Sequence, residues 1–364
     1  EAWERLQQRD VGIVITDWMM PGIDGIDLCK MIRSGGFPWY VYTILLTSRM
    51  DKADLLTGLE AGADDFVGKP FSPAELRARV RNGHRIYSLE RDLRKKNLEL
   101  EQSYNSLQRV HDRLTGDLQA AAWLQQRLLP PTPKTLMGYR FDALFIPCHF
   151  VAGDIFNFFP ISEDHIAFFM VDVSGHGVAS AMLSLSISKI ITSAPLMETF
   201  RGLSLQANLS TVVALEALNR VFESNNEIMG KYFTMVLGTL EKSTGLCRFT
   251  LAGHPYPVFI PANGKPEFVG RSGSPIGLLS EVELEESSVV LAPGDRILLY
   301  SDGMTECAAS SGEAFGPDRL MRCICDPETP LDEIMKRSAL NLFRFHGSDR
   351  FDDDVSLLIF ERME

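Results

Sequence analysis

The chain has 364 residues, 45 % of them hydrophobic, and a formal net charge of -12. That length suits two domains better than one, and an acidic balance with no basic cluster disfavours a nucleic-acid partner held through its phosphates. No apolar run approaches the roughly 18 residues of a membrane span and the first residues are charged, so a cytoplasmic protein without a membrane partner is expected.

Residues 11–17, VGIVITD, form an apolar run ending in Asp17. YVYTILLTS (40–48) is a second run, and DDFVGKP (64–70) a shorter third. Helical patterns lie between them in GIDLCKMIR (25–33) and KADLLTGLEAGA (52–63). Strands alternating with helices predict a doubly wound α/β domain with a parallel sheet covered on both faces. Ligands of such sheets collect at the carboxyl ends of the strands, where Asp17, Thr47 and Lys69 all fall. The trio reads either as unrelated polar strand ends or as a phosphate site, with Asp17 the acceptor and Thr47 and Lys69 balancing the oxygens.

In DWMMPGIDG, ILLTS and VGKPF, residues 1–80 resemble a bacterial response-regulator receiver domain. The resemblance implies phosphorylation at Asp17, Thr47 and Lys69 as switch partners, and Phe66 as the aromatic that repacks when Thr47 moves. It also implies a cognate sensor histidine kinase or phosphotransfer protein, and magnesium in a complete receiver. Receivers begin with a strand bearing an acidic metal-binding pair, whereas this chain opens on the helix-like EAWERLQQRD. The domain is therefore expected to lack its N-terminal portion and to accept phosphate poorly as it stands.

Ser72 is placed to cap a helix, with Pro73 at its first position and Glu75 completing the capping box. No proline follows until Pro130. One sevenfold series, Ile86, Leu93, Leu100, Leu107, Leu114 and Ala121, is apolar throughout. A second, Leu89, Lys96, Ser103, Val110, Asp117 and Leu124, is mixed. Residues 81–127 are thus expected to form a coiled-coil linker of a homodimer, on the order of 80 Å long and weakened where polar residues enter the seam. The alternative is a long helix packed back on its own domains.

From residue 128 to 364 short strands and turns take over. FDALFIPCHFVAGDIFNFFP (141–160) holds two candidate strands, and HIAFFMVDVSG a third. Helices are predicted in VASAMLSLSISKIIT, in LSTVVALEALNRVFESN (209–225) and near 331–344. Strands return in YFTMVLGTLE, CRFTLAG, RILLYSDG and DDDVSLLIF. This pattern reads as an α+β domain, a β-sandwich flanked by helices. Six scattered cysteines, Cys323 and Cys325 the only close pair, read as reduced side chains with no zinc spacing.

Four positions in this region share a design. Asp154 follows Gly153, Asp172 ends an apolar run, Asp302 ends RILLYS, and Asp353 lies in a triple aspartate before VSLLIF. Singly, each reads as a solvated strand end or a turn. Together they would repel and raise one another's pKa, a problem that divalent cations remove. Hard oxygen ligands suit magnesium or manganese.

QQRLLP, AGDIFN, DVSGHGVASAML, LAGHPYP, SDGMTE and DDDVSLLIF resemble, in order, the PP2C-type metal-dependent serine/threonine phosphatases of the SpoIIE/RsbU-like branch. The resemblance implies two manganese or magnesium ions held by Asp154, Asp172, the Val173 carbonyl, Asp302 and Asp353, with Asp354 an adjacent candidate for the last place. Two such ions would acidify a shared water, and the hydroxide would attack phosphorus in line. Glycines 153, 175, 177 and 303 would let backbone approach the ions. The implied substrate is a phosphoserine on a separate STAS-type anti-sigma-factor antagonist. Departures are Asn157, where the family has an aspartate, and Leu251, where it tends to have asparagine. His176 is read as a packing or loop-fixing residue. A second reading is a signalling adaptor that binds a regulatory partner without turnover, and a third a phosphohydrolase of small molecules.

Overall fold

The computed structural model describes residues 2–8, 10–48, 51–193, 210–223, 230–326 and 329–363. The chain divides into two compact units, Glu1–Arg113 and Leu114–Glu364. The division falls inside one helix, so the linker expected at 81–127 lies within a longer element that begins eight residues earlier and whose ends belong to different units.

The first unit is built on a three-stranded parallel sheet in the order β1 (Ile13–Asp17), β2 (Tyr42–Thr47) and β3 (Asp65–Gly68). Around it are α1 (Ala2–Gln8), α2 (Gly25–Ser34) and α3 (Lys52–Glu60), the last two capped by Asp24 and Asp51. The central strand explains the apolar run: Leu45 packs with Trp18, Ile26 and Cys29, while Ile44 packs with Tyr42 and Val67 on the other face. Helix α4 (Pro73–Leu128) starts where Ser72 accepts the Glu75 N–H, and Leu76, Val80 and Ile86 join the Ile44 cluster. The seam leucines are solvent-facing in the single chain, Leu93 at 56 % and Leu107 at 68 % exposure.

Further along α4 another row turns inward at helical spacing: Thr115, Leu118, Ala122 and Gln125, continued by Leu129 beyond the helix end. Leu129 packs against the core of the second unit. That unit holds two mainly antiparallel sheets. One comprises β4 (Lys134–Leu136), β5 (Tyr139–Ile146), β10 (Val258–Ile260), β11 (Glu267–Phe268), β13 (Arg296–Tyr300) and β14 (Val355–Arg362). Their order is β11-β10-β13-β14-β5-β4. The other runs β12-β9-β8-β7-β6. Its members are β6 (Ile155–Pro160), β7 (His165–Val173), β8 (Phe233–Glu241), β9 (Leu246–Ala252) and β12 (Glu286–Val290).

Strand β7 is apolar without alternation because both its faces are covered. Ile166, Phe168 and Met170 enter the core between the sheets with Phe141, Phe249 and Phe360. Ala167, Phe169 and Val171 face the layer made by α5 (Val178–Ile191) and α6 (Thr211–Glu223). Helix α6 coincides with the predicted 209–225 over its described length; residues 209, 224 and 225 lie outside the described residues. On the far face of the six-stranded sheet lie α7 (Asp302–Glu306), α8 (Gly316–Ile324) and α9 (Leu331–His346). The result is a sandwich flanked by helices on both sides, as the strand pattern predicts. None of the six cysteines is in a disulfide, and no described helix is long and apolar enough to cross a membrane.

The inter-sheet core has one position where size is critical. Gly238 pairs with Phe168, and a Cβ there would lie 2.1 Å from the Phe168 ring. Gly238→Val is expected to destabilise the second unit by about 3 kcal/mol, the upper range for overpacking a core. Urea unfolding followed by fluorescence checks this.

Candidate functional site

In the first unit the parallel sheet brings its strand ends to one edge. Asp17 ends β1, Thr47 ends β2, and Lys69 follows β3. The Lys69 ammonium pairs with the Asp17 carboxylate, and the Lys69 N–H donates to the Thr47 carbonyl at 2.7 Å. A cleft of about 200 Å³ is lined by Asp17, Trp18, Thr47, Ser48 and Lys69 among others. Phe66 is half-buried against the Leu45 cluster, its ring where a Cβ on Gly58 would stand. The three polar strand ends are therefore neighbours.

In the second unit antiparallel pairing does the equivalent work. Ile155 pairs with Val171, so the start of β6, preceded by Asp154, lies beside the end of β7, which holds Asp172. Tyr300 pairs with Leu357, so the end of β13, followed by Asp302, lies beside the start of β14, preceded by Asp353 and Asp354. The two sheet edges meet. Asp154 is acted on by Asp354 and Asp302 of the opposite sheet, and Asp172 by Asp302 and Asp353.

Burial makes this convergence costly for negative charge. It is the leading cause that pushes the Asp154 carboxyl well above the ordinary aspartate range, reinforced by Asp354 and Asp302. Burial likewise raises Asp172, with Asp154, Asp302 and Asp353 adding to it. Asp353, although exposed as a residue, has its carboxyl raised first by partial desolvation, an effect offset in part by the Asp354 N–H, and then by Asp302 and Asp354. The Ser356 and Ser301 hydroxyls favour the ionised form of Asp154 without closing a hydrogen bond to its Oδ2. That oxygen is buried with no hydrogen-bond partner, in a side chain only 1 % exposed.

An orphaned carboxylate oxygen among mutually repelling carboxylates fits a site for hard divalent cations. The groups able to hold them are the carboxylates of Asp154, Asp172, Asp302 and Asp353 and the main-chain carbonyl of Val173. The Val173 oxygen lies 3.0 Å from where a Cβ on Gly153 would be, so any larger residue would crowd that carbonyl. Gly303 is more constrained still: its Cβ would stand 2.1 Å from the Asp354 carbonyl oxygen. Gly175 and Gly177, with φ of 76° and 91°, turn the chain after Asp172 in a way few other residues adopt.

Asp353 and Asp354 part company in the structure. Asp354 is buried, and both its oxygens are used: Oδ1 accepts the Cys148 N–H at 2.8 Å and Oδ2 the Gly153 N–H at 2.6 Å. Asp353 is exposed and faces the Asp172 cluster. Cys148 lies close to both, its thiol pushed up to about 12 by burial and Asp354, and its soft sulfur suits magnesium or manganese less well than the carboxylates do.

Two side chains escaped the sequence reading. Gln125, 2 % exposed, bonds both polar groups of the Ala152 peptide, donating to its oxygen at 2.7 Å and accepting from its nitrogen at 2.9 Å. Lys231 donates to the Ser174 carbonyl and the Ser180 hydroxyl, each at 2.8 Å, holding the turn after Asp172. Gln125 opens the QQRLLP motif and is a polar residue on a helix row otherwise apolar or small, and these were its available signs; Lys231 had none. Asn157 accepts from the adjacent Phe158 N–H, and Leu251 is part of the inter-sheet core. His176 stacks edge-on against His149 at 4.9 Å, both exposed. His254 is kept neutral by burial, its pKa pushed down to about 3, with Nδ1 against the Thr234 hydroxyl at 3.0 Å.

Comparison with known proteins follows this division. The family profile described as Stage II sporulation protein E (SpoIIE) matches residues 162–363, and that of the response regulator receiver domain matches residues 1–81. Protein IcfG of Synechocystis sp. is 25 % identical over 264 residues, 67 % of this chain and 41 % of that protein. The phosphate regulon transcriptional regulatory protein PhoB of Rhizobium meliloti is 46 % identical over 81 residues, 22 % of this chain and 36 % of that protein. The chain thus spans about two fifths of the length of these relatives. The SiaA-PP2C domain of Pseudomonas aeruginosa superposes with a TM-score of 0.58 at 19 % identity, over 69 % of this chain and 98 % of that one, which shows the shared fold.

Fold and profile together define a PP2C-type phosphatase domain joined to a receiver. The chain belongs to the SpoIIE family, a family of PP2C-type serine/threonine phosphatases.

The two neighbouring aspartates should separate in stability measurements. Asp354→Ala leaves two buried N–H groups unpaired and is expected to cost about 2–6 kcal/mol, at roughly 1–3 kcal/mol for each. Asp353→Ala should be near neutral in chelator, because the lost Asp354 N–H contact is offset by relief from neighbouring carboxylates. Urea unfolding of both variants in EDTA checks the pair.

Proposed function

We propose that this chain is a divalent-metal-dependent protein serine/threonine phosphatase under the control of its receiver. The observation that carries the reading is the meeting of Asp154, Asp172, Asp302 and Asp353 from the ends of both sheets, with an unpartnered buried oxygen on Asp154. Asp154, Asp172 and the Val173 carbonyl would contribute from one sheet, Asp302 and Asp353 from the other. When bound, two manganese or magnesium ions supply Lewis acidity toward phosphoryl oxygens and a water acidic enough to act as nucleophile near neutral pH.

The chain's own part is to place oxygen ligands and keep them placed. Asp354 ties Cys148 and Gly153 to the start of β14, so the loop leading to Asp154 is fixed to the opposite sheet. Ser301 links the same edge, donating to the Asp354 carbonyl at 3.2 Å and accepting the Ser356 N–H at 2.9 Å. Preorganised ligands of this kind need little rearrangement during reaction. None of the residues at this centre has to form a covalent bond to phosphorus.

The substrate in this reading is a phosphoserine on a separate STAS-type protein, supported by the SpoIIE/RsbU-like motifs from QQRLLP to DDDVSLLIF. Asp17 is the proposed phosphorylation site, beside Thr47 and Lys69, with a sensor kinase or phosphotransfer protein as donor. The exposed apolar row from Leu93 to Leu114 supports a homodimer through α4.

Hydrolysis of para-nitrophenyl phosphate with manganese tests the centre. Asp172→Ala and Asp302→Ala are each expected to lower activity by about 100-fold or more, since losing a metal ligand removes several kcal/mol of transition-state stabilisation. Equal activity in wild type and both variants rejects the assignment. For the dimer, Leu93→Glu combined with Leu107→Glu should give monomer mass by light scattering; undiminished dimer places the contact elsewhere.

A further inference from the structure

We propose that Gln125 is a positioning residue for the Asp154 carboxylate, acting through the Ala152 peptide. The inference rests on the dinuclear reading and adds to it a requirement outside the ligand set. Ala152 is fully buried, and its N–H and C=O are both satisfied by one carboxamide from a residue 27 positions earlier. A glutamate there lacks the donor, a lysine lacks the acceptor, and an isosteric methionine lacks both. The next residue, Gly153, is held by Asp354, and Asp154 follows with its orphaned oxygen.

Among the described residues, the loop from 148 to 154 is thus fastened at Cys148, Ala152 and Gly153 by two side chains, Gln125 and Asp354. Asp354 sits between Asp353 and β14, so removing it disturbs Asp353 as well. Gln125 holds the loop at Ala152, and neither of its hydrogen bonds goes to any of the four carboxylates. It therefore isolates the effect of loop placement on metal binding. Groups that orient a ligand in this way typically contribute about 10–100-fold to metal affinity.

Manganese binding to the full chain, read by the electron paramagnetic resonance of free Mn²⁺, is the test. The set comprises wild type, Gln125→Met, the exposed neighbour Gln126→Met and Asp172→Ala. Gln125→Met is expected to weaken binding by about 10-fold or more, and Gln126→Met to bind as wild type. Activity lost by Gln125→Met at low manganese should be partly regained at high manganese. Unchanged affinity in Gln125→Met overturns the proposal while leaving the metal centre standing. Wild type binding no better than Asp172→Ala overturns the centre itself, and this inference with it.

Should Gln125→Met fail to fold, amide exchange of wild type decides. Linkage requires that a clamp which strengthens metal binding be strengthened by metal in return. Saturating magnesium should slow exchange at the Ala152 N–H by about the factor by which the clamp tightens binding, roughly tenfold or more. Exchange indifferent to magnesium rejects the clamp.

Discussion

Carboxylates brought together at the end of two apolar sheets repel one another, and the arrangement of the second unit follows from managing that repulsion. Asp154 and Asp172 are disfavoured as anions first by burial and then by one another and their acidic neighbours. A fold driven only by burial of apolar surface would separate such groups. Here backbone and side-chain hydrogen bonds keep the two sheet edges together, and cations are what the remaining oxygens are suited to accept. Phe141 stacked on Phe158 across the sheets, with centroids 4.0 Å apart, belongs to the apolar packing that opposes separation.

The division of labour among identical residue types is decided by where their oxygens point. Asp353 and Asp354 are adjacent in sequence, yet one serves the backbone of a distant loop and the other remains available beside Asp172. Successive residues entering a strand face opposite sides, so neighbours of the same chemistry meet different surroundings. Asp354 becomes part of the frame. Asp353 is held mainly by its neighbour's N–H and is otherwise turned toward the cluster.

Much of this was legible in the residues. Apolar runs located the strands, and the doubly covered sheet explained why HIAFFMV lacks alternation. The four aspartates stood out because each interrupts such a run beside a turn or a glycine. Other features depended on pairings that no local pattern carries. Cys148 and Asp354 are separated by 206 positions, and the role of that carboxylate emerges only when β14 pairs with β5. Gln125 lies in a helix rich in glutamine, and nothing nearby in sequence announces the peptide it receives. The change from an outward seam to an inward row between Leu114 and Gln125 was equally hidden, since both rows share the helical period.

The separation between frame and ligands has an evolutionary consequence. Asp354, Gly303 and Ser301 hold the sheet edges through main-chain atoms, whereas Asp353 contributes little to holding them. A descendant could therefore shed the carboxylates proposed as ligands, escape their mutual repulsion and persist as a folded paralogue without the proposed centre. Loss of the frame residues opens no comparable path, because the scaffold would be damaged along with the chemistry.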